Sequence, residues 1–138
     1  MGQSRNPLPA VTLISEDALH KSVASLLSTI IAEQGTLSTQ GVWWCSIEHR
    51  NAKSSREGAF RKKRGVIAGI PDIVIGYDQR AYWIELKTAE GIVSKVQKAF
   101  HNVLTSSGHV IKVCRSIEDV RTFINDHHIP TQRIAGLC

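Results

Sequence analysis

The stretch from Gly69 to Lys87 constrains this chain most, because it reads as a hairpin whose two faces differ in kind. Ile73 to Tyr77 and Ala81 to Leu86 are short β-branched and aromatic runs on either side of the polar pair Asp78-Gln79, the pattern of two strands joined by a tight turn. A two-residue turn pairs Tyr77 with Arg80 and Gly76 with Ala81, and the same register sets Asp72 opposite Glu85. Side chains directly opposed on one face lie roughly 5 Å apart at Cβ. Period-2 alternation puts Lys87 on the face of Glu85. The other face carries Ile73, Ile75, Tyr77, Tyr82, Ile84 and Leu86, a core face. A three-residue turn would instead send Asp72 and Glu85 to opposite faces.

Two carboxylates held that close repel unless something positive lies between them. A divalent cation that prefers oxygen ligands, such as Mg²⁺, is the natural occupant. The plainer alternative is that Pro71-Asp72 forms a turn and that Glu85 and Lys87 are a solvated strand edge.

The rest of the chain supplies elements to cover this hairpin. Ser15 to Gln34 reads as a helix with Leu19, Val23, Leu26, Leu27, Ile30 and Ile31 on one stripe, Ser15 as N-cap and Gly35 as the stop. Glu16 falls on the inward side of that stripe, where a carboxylate needs a partner; Asp17 continues into the outward face. His20, one turn on, either orients Glu16, touches substrate or is a plain surface histidine. Val42 to His49 reads as a strand with one of Trp43 and Trp44 in the core. Arg50 to Ala68 reads as a basic loop with a helical turn near Ala59 to Lys63. Arg50, Lys53, Arg56, Arg61, Lys62, Lys63 and Arg64 stand there against one acid, Glu57. A loop of this length asks for a function, and neutralising phosphates is the one its charge fits; a solvated charge run is the alternative.

Ser94-Lys95-Val96-Gln97 is a capping box opening a helix whose buried stripe is Val96, Phe100, Val103 and Leu104. Lys95, Lys98 and His101 are placed on its outer face. His109 to Cys114 is a strand, and Ser116 to Asp126 a last helix stopped by Pro130. The division expected is a lead-in over 1–14, one domain over 15–127 and a tail over 128–138. The order is α-β-β-β-α-β-α, an α/β architecture with a mixed central sheet flanked by helices.

At 138 residues and net charge +5 the chain has room for one core and favours polyanions. Cys45, Cys114 and Cys138 are odd in number and widely spaced, so they suggest a reducing compartment and form no zinc pattern. No apolar run approaches the ~20 residues of a membrane span, and no signal-peptide pattern opens the chain.

Taken together, Glu16, Gly65-Val66, Gly69-Ile70-Pro71-Asp72, Trp83-Ile84-Glu85-Leu86-Lys87, Gly91 and Gln97 resemble, in order, the virus-type replication-repair nuclease (VRR-Nuc) branch of the PD-(D/E)xK nuclease superfamily. The resemblance spans about Ser15 to Asn125. It implies a restriction-endonuclease-like core and a Mg²⁺- or Mn²⁺-dependent endonuclease that hydrolyses DNA phosphodiester bonds. By that resemblance Glu16, Asp72, Glu85 and the Leu86 backbone carbonyl hold metal, while Asp72, Glu85, Lys87 and Gln97 are the catalytic set. For Gln97 this competes with a purely structural role in the capping box. Stand-alone members come from phages or prophages and act on branched DNA such as four-way (Holliday) junctions. The expectation is therefore a DNA-repair-type nuclease, homodimeric, in the cytoplasm of a bacterial or phage-infected cell. Two alternatives stand beside it: a non-catalytic DNA-binding module of the same fold, and a sequence-specific restriction-type endonuclease.

Overall fold

In the computed structural model, residues 14–47 and 53–132 are described. The elements follow in the order α1 (Glu16–Ile30), β1 (Trp43–Ser46), α2 (Ser55–Lys63), β2 (Ile73–Tyr77), β3 (Arg80–Leu86), α3 (Lys95–Ser106), β4 (Val110–Cys114) and α4 (Ile117–Asp126). The four strands form one sheet in the order β1-β2-β3-β4. β1, β2 and β3 are antiparallel neighbours, whereas β3 and β4 run parallel. A parallel pair needs a crossover, and α3 provides it. The expected mixed α/β sheet flanked by helices is present, with α2 as an additional element between the first two strands.

The hairpin takes the two-residue turn. Tyr77 pairs with Arg80, Gly76 with Ala81 and Ile73 with Ile84. Asp78 and Gln79 both have positive φ, 49° and 63°, the backbone of a type I′ turn, whose twist matches that of its strands. Ile73, Ile75, Ile84 and Leu86 are fully buried against Leu19, Val23 and Leu27 of α1 and Val120, Phe123 and Ile124 of α4. The burial cluster places α1 and α4 on one face of the sheet. The Asp72/Glu85 face is covered by α3.

Several boundaries differ from the sequence expectation. α1 ends at Ile30 rather than Gln34, and the carbonyls just past its end are engaged from elsewhere: Trp44 Nε1 donates to the Ala32 carbonyl (2.7 Å) and the Gln132 side chain to that of Ile31 (2.7 Å). Trp44 is the core tryptophan at 1 % exposure, while Trp43, 40 % exposed, lies across Gly76. A Cβ on Gly76 would come within 2.1 Å of the Trp43 ring, so glycine is what lets the indole lie flat on the sheet. Ile129 is buried in the same core and the Gln132 backbone N–H bonds to the Ile30 carbonyl (2.6 Å), so the chain beyond α4 packs back onto α1.

The α3 stripe is a correction. Leu104 is buried and Phe100 half-buried, but Val96 and Val103 are 53 % and 57 % exposed. The face of α3 turned to the sheet is that of Gln97, His101 and Leu104, which is offset from the apolar one. The basic loop holds a longer helix than expected. Ser54 caps α2 by accepting from the Glu57 N–H (3.1 Å), and Glu57 pairs with Arg61 (2.7 Å), so local contacts carry a helix in which no residue is buried. No helix among the described residues is long and apolar enough to cross a membrane.

Candidate active site

The site lies where β2 begins and β3 ends. The paired register ends at Ile73–Ile84; Asp72, the residue before it, donates its N–H to the Ile84 carbonyl (3.1 Å) while its carbonyl accepts from the Ile47 N–H (2.8 Å). The Asp72 carboxylate lies near enough to Glu85 to raise that acid's pKa. Its Oδ2 accepts from the Leu86 N–H (2.7 Å), which locks the carboxylate beside the end of β3. N–H and C=O of one strand residue point the same way. The Leu86 carbonyl is therefore directed to the Asp72 side, while the next N–H, that of Lys87, turns to the Cys114 carbonyl on β4 (3.1 Å).

Glu85 is 1 % exposed. Gln97 Nε2 donates to its Oε1, and Lys87 Nζ stands 3.9 Å from the same oxygen. Oε2, which is also buried, accepts from no donor, and the carboxyl lies within hydrogen-bonding reach of Asp72. Burial, and then the neighbouring Asp72 carboxylate, push the Glu85 carboxyl up to about 8, against the opposing pull of Lys87; Glu16 adds a smaller push in the same direction. A buried carboxylate with an unpaired oxygen, next to a second carboxylate, is electrostatically incomplete and fits a hard divalent cation.

Gln97 closes the capping box and also contacts Glu85. Its Oε1 accepts from the Ser94 N–H (2.9 Å) and its N–H donates to Ser94 Oγ (3.2 Å), closing the capping box. With the carbonyl end so engaged, the amide's NH₂ end is the one left to face Glu85. The helix cap thereby fixes the donor presented to the acid. Two further contacts hold this region. Arg115 Nη1 donates to the carbonyls of Thr88 (2.7 Å) and Gly91 (2.6 Å), tying down the link between Lys87 and α3. Gly69, at φ +87°, abuts the first turn of α3, where an added Cβ would meet the Val96 carbonyl oxygen at 2.7 Å.

The remaining expected residues divide. Glu16 is exposed rather than inward. It opens α1 at this end of the sheet, where His20 Nε2 is 2.9 Å from Ser46 Oγ, so His20 anchors the helix start to β1. Among the described residues no three His, Cys, Asp or Glu side chains gather as a ligand set, although Glu16 is near enough to Glu85 to raise its pKa. Lys53, Arg56, Lys62, Lys63 and Arg64 are exposed on or beside α2, with Arg61 half-buried against Glu57. Arg50 lies outside the described residues. His101 is a second correction. It does not share the outer face with Lys95 and Lys98 but is half-buried with Nε2 enclosed and unbonded. Burial and the nearby Lys87 charge hold its pKa below the ordinary imidazole value, with Asp72 opposing. Its spacing, one turn after Gln97, was the signal for that placement. The Cys114 thiol, pushed up to about 12 by burial, is a core residue and no nucleophile.

The mixed four-stranded sheet flanked by helices is a restriction-endonuclease-like α/β architecture. Among solved structures, one described as a VRR_NUC domain protein shares this fold, with a TM-score of 0.62 and 22 % identity over 84 % of this chain and 89 % of that one. No family model and no curated protein matches the sequence.

Proposed function

We propose that this protein is a Mg²⁺- or Mn²⁺-dependent endodeoxyribonuclease that hydrolyses phosphodiester bonds, selective for branched DNA such as four-way junctions. The observation that carries this reading is Glu85, buried beside Asp72 with one oxygen lacking a donor and an ammonium 3.9 Å from the other. Asp72, Glu85 and the Leu86 carbonyl would hold the cation, with Glu16 a further ligand from the start of α1. A cation bound there supplies positive charge to the reacting phosphate and makes water more acidic. Lys87, only 12 % exposed in its side chain, brings its ammonium to a phosphate oxygen as negative charge develops. Gln97 keeps the Glu85 carboxylate in one orientation. The cations of α2 bind the DNA backbone and set how the strand approaches.

Cutting a junction symmetrically takes two sites, which favours a two-fold dimer. The exposed Val96, Ala99 and Val103 on α3 have the i, i+3, i+7 spacing of a helix seam and form one surface that would seat a second copy. The deciding experiment incubates the protein with linear duplex, single-stranded and four-way-junction DNA, in Mg²⁺, in Mn²⁺ and in EDTA. Metal-dependent cutting of the junction is expected. Binding with no cleavage in either metal would overturn the enzymatic reading in favour of a DNA-binding module, and cleavage of linear duplex at one sequence would favour a restriction-type enzyme.

A further inference from the structure

Among the described residues α2 is held by its own cap and the Glu57–Arg61 pair, and none of its residues is buried; a nine-residue helix is by itself marginal in water. Yet it carries a large aromatic side chain, Phe60, 58 % exposed. Exposed phenylalanine is costly without a partner. Arg56, Phe60, Lys63 and Arg64 fall on one face of the helix at i, i+4, i+7 and i+8. The Arg64 guanidinium stands over the Phe60 ring, 5.5 Å from its centre, while the side chain as a whole stays largely exposed. An open concavity of about 470 Å³ is lined by Ser54, Arg56, Glu57, Ala59, Phe60 and Lys63. The one acid of the helix is already engaged, by the Lys53 N–H (2.6 Å) and by Arg61 (2.7 Å).

From these features we infer that Phe60 is a base-stacking wedge: α2 lays its cations along the DNA backbone and inserts this ring against a base left unpaired or unstacked at a branch point. An apolar ring ringed by cations matches the two surfaces such DNA offers together, a base plane and flanking phosphates. A fully paired duplex offers only the phosphates, so Phe60 discriminates where Lys62 and Lys63 do not. The inference takes from the nuclease reading only that the polyanion is DNA.

The test measures binding in EDTA of wild type, Phe60→Ala, Phe60→Trp and Lys62→Ala. The probes are a four-way junction, a duplex with one unpaired adenine, and a fully paired duplex. Phe60→Ala is expected to weaken the first two by about tenfold or more, the ordinary cost of a lost base stack, and the paired duplex by less than about twofold. Phe60→Trp should restore binding, and Lys62→Ala should weaken all three alike. Equal loss on all three probes, or no loss, overturns the wedge. So does a change of sedimentation from dimer to monomer in Phe60→Ala, which would make the ring a contact between copies. Because no cleavage is read, the two proposals fail separately. A wild type that cuts junctions while Phe60→Ala binds like wild type loses only the wedge. A wild type that cuts nothing while Phe60→Ala loses its junction preference loses only the enzyme.

Discussion

Glu85 shows at the scale of one residue how a fold can hold an acid in an unfavourable state. Its carboxyl is raised to about 8, whereas in an unfolded chain it titrates near the ordinary glutamate value of about 4.3. The folded state therefore binds the proton more tightly. Glu85 contributes stability that is fully present below the unfolded value and is lost as pH rises through the folded one. In EDTA the melting temperature should fall between about pH 5 and pH 8, and Glu85→Gln should flatten that slope. Mn²⁺ should restore stability at the alkaline end, since a cation replaces the proton; a wild-type slope that Glu85→Gln leaves unchanged would assign the titration to another group. For catalysis, Glu85→Ala and Lys87→Ala are each expected to lower cutting by at least about a hundredfold while junction binding, followed by gel shift, persists. Loss of binding in a folded variant would mean that these side chains hold DNA and not the reaction.

Among the elements, the hairpin and the start of α3 together set the site, and each has a weak point. The type I′ turn places Gln79 at φ 63°, a left-handed conformation that costs a non-glycine residue roughly 1 kcal/mol. Gln79→Gly should raise stability by about 0.5–1 kcal/mol, or a few degrees of melting temperature, and leave cutting unchanged. Gly69 is the opposite case. At φ +87°, with the Val96 carbonyl 2.7 Å from where a Cβ would sit, alanine there combines backbone strain with a collision against backbone. Gly69→Ala should cost about 2–3 kcal/mol, read in urea titration. It should also lower activity in what remains folded, because α3 presents Gln97 to Glu85. A neutral Gly69→Ala would show that α3 and this link are not in contact in solution.

For the whole molecule, charge and exposed apolar surface point in two directions. α1 and α4 close one face of the sheet, and α3 stands over the other with Val96 and Val103 outward. If that stripe seats a second copy, Val96→Asp/Val103→Asp should sediment as a monomer where wild type is a dimer, with the fold intact by circular dichroism. A wild-type monomer would end the dimer proposal. Binding through α2 should be salt-dependent in proportion to the phosphates neutralised. Lys62→Ala/Lys63→Ala should reduce the slope of log K against log salt by about 2; an unchanged slope would place the DNA elsewhere.

The hairpin was legible in the sequence because its rules are local. A polar pair between two β-branched runs allows few turns, and a two-residue turn fixes one register, which runs from Tyr77–Arg80 to Ile73–Ile84 as that turn requires. Caps are local too, so Ser15, Ser94 and Ser116 mark their helices correctly. Burial is not local. Nothing along the chain says that α3 turns Gln97 and His101, rather than Val96 and Val103, toward the sheet, since that depends on how the crossover docks. The carbonyls just past the end of α1 are likewise engaged by Trp44 and Gln132, from other parts of the chain. Glu85 is an acid in any conformation; only the packing of α3 over the hairpin removes it from water, leaves one of its oxygens without a donor and so gives it a chemistry.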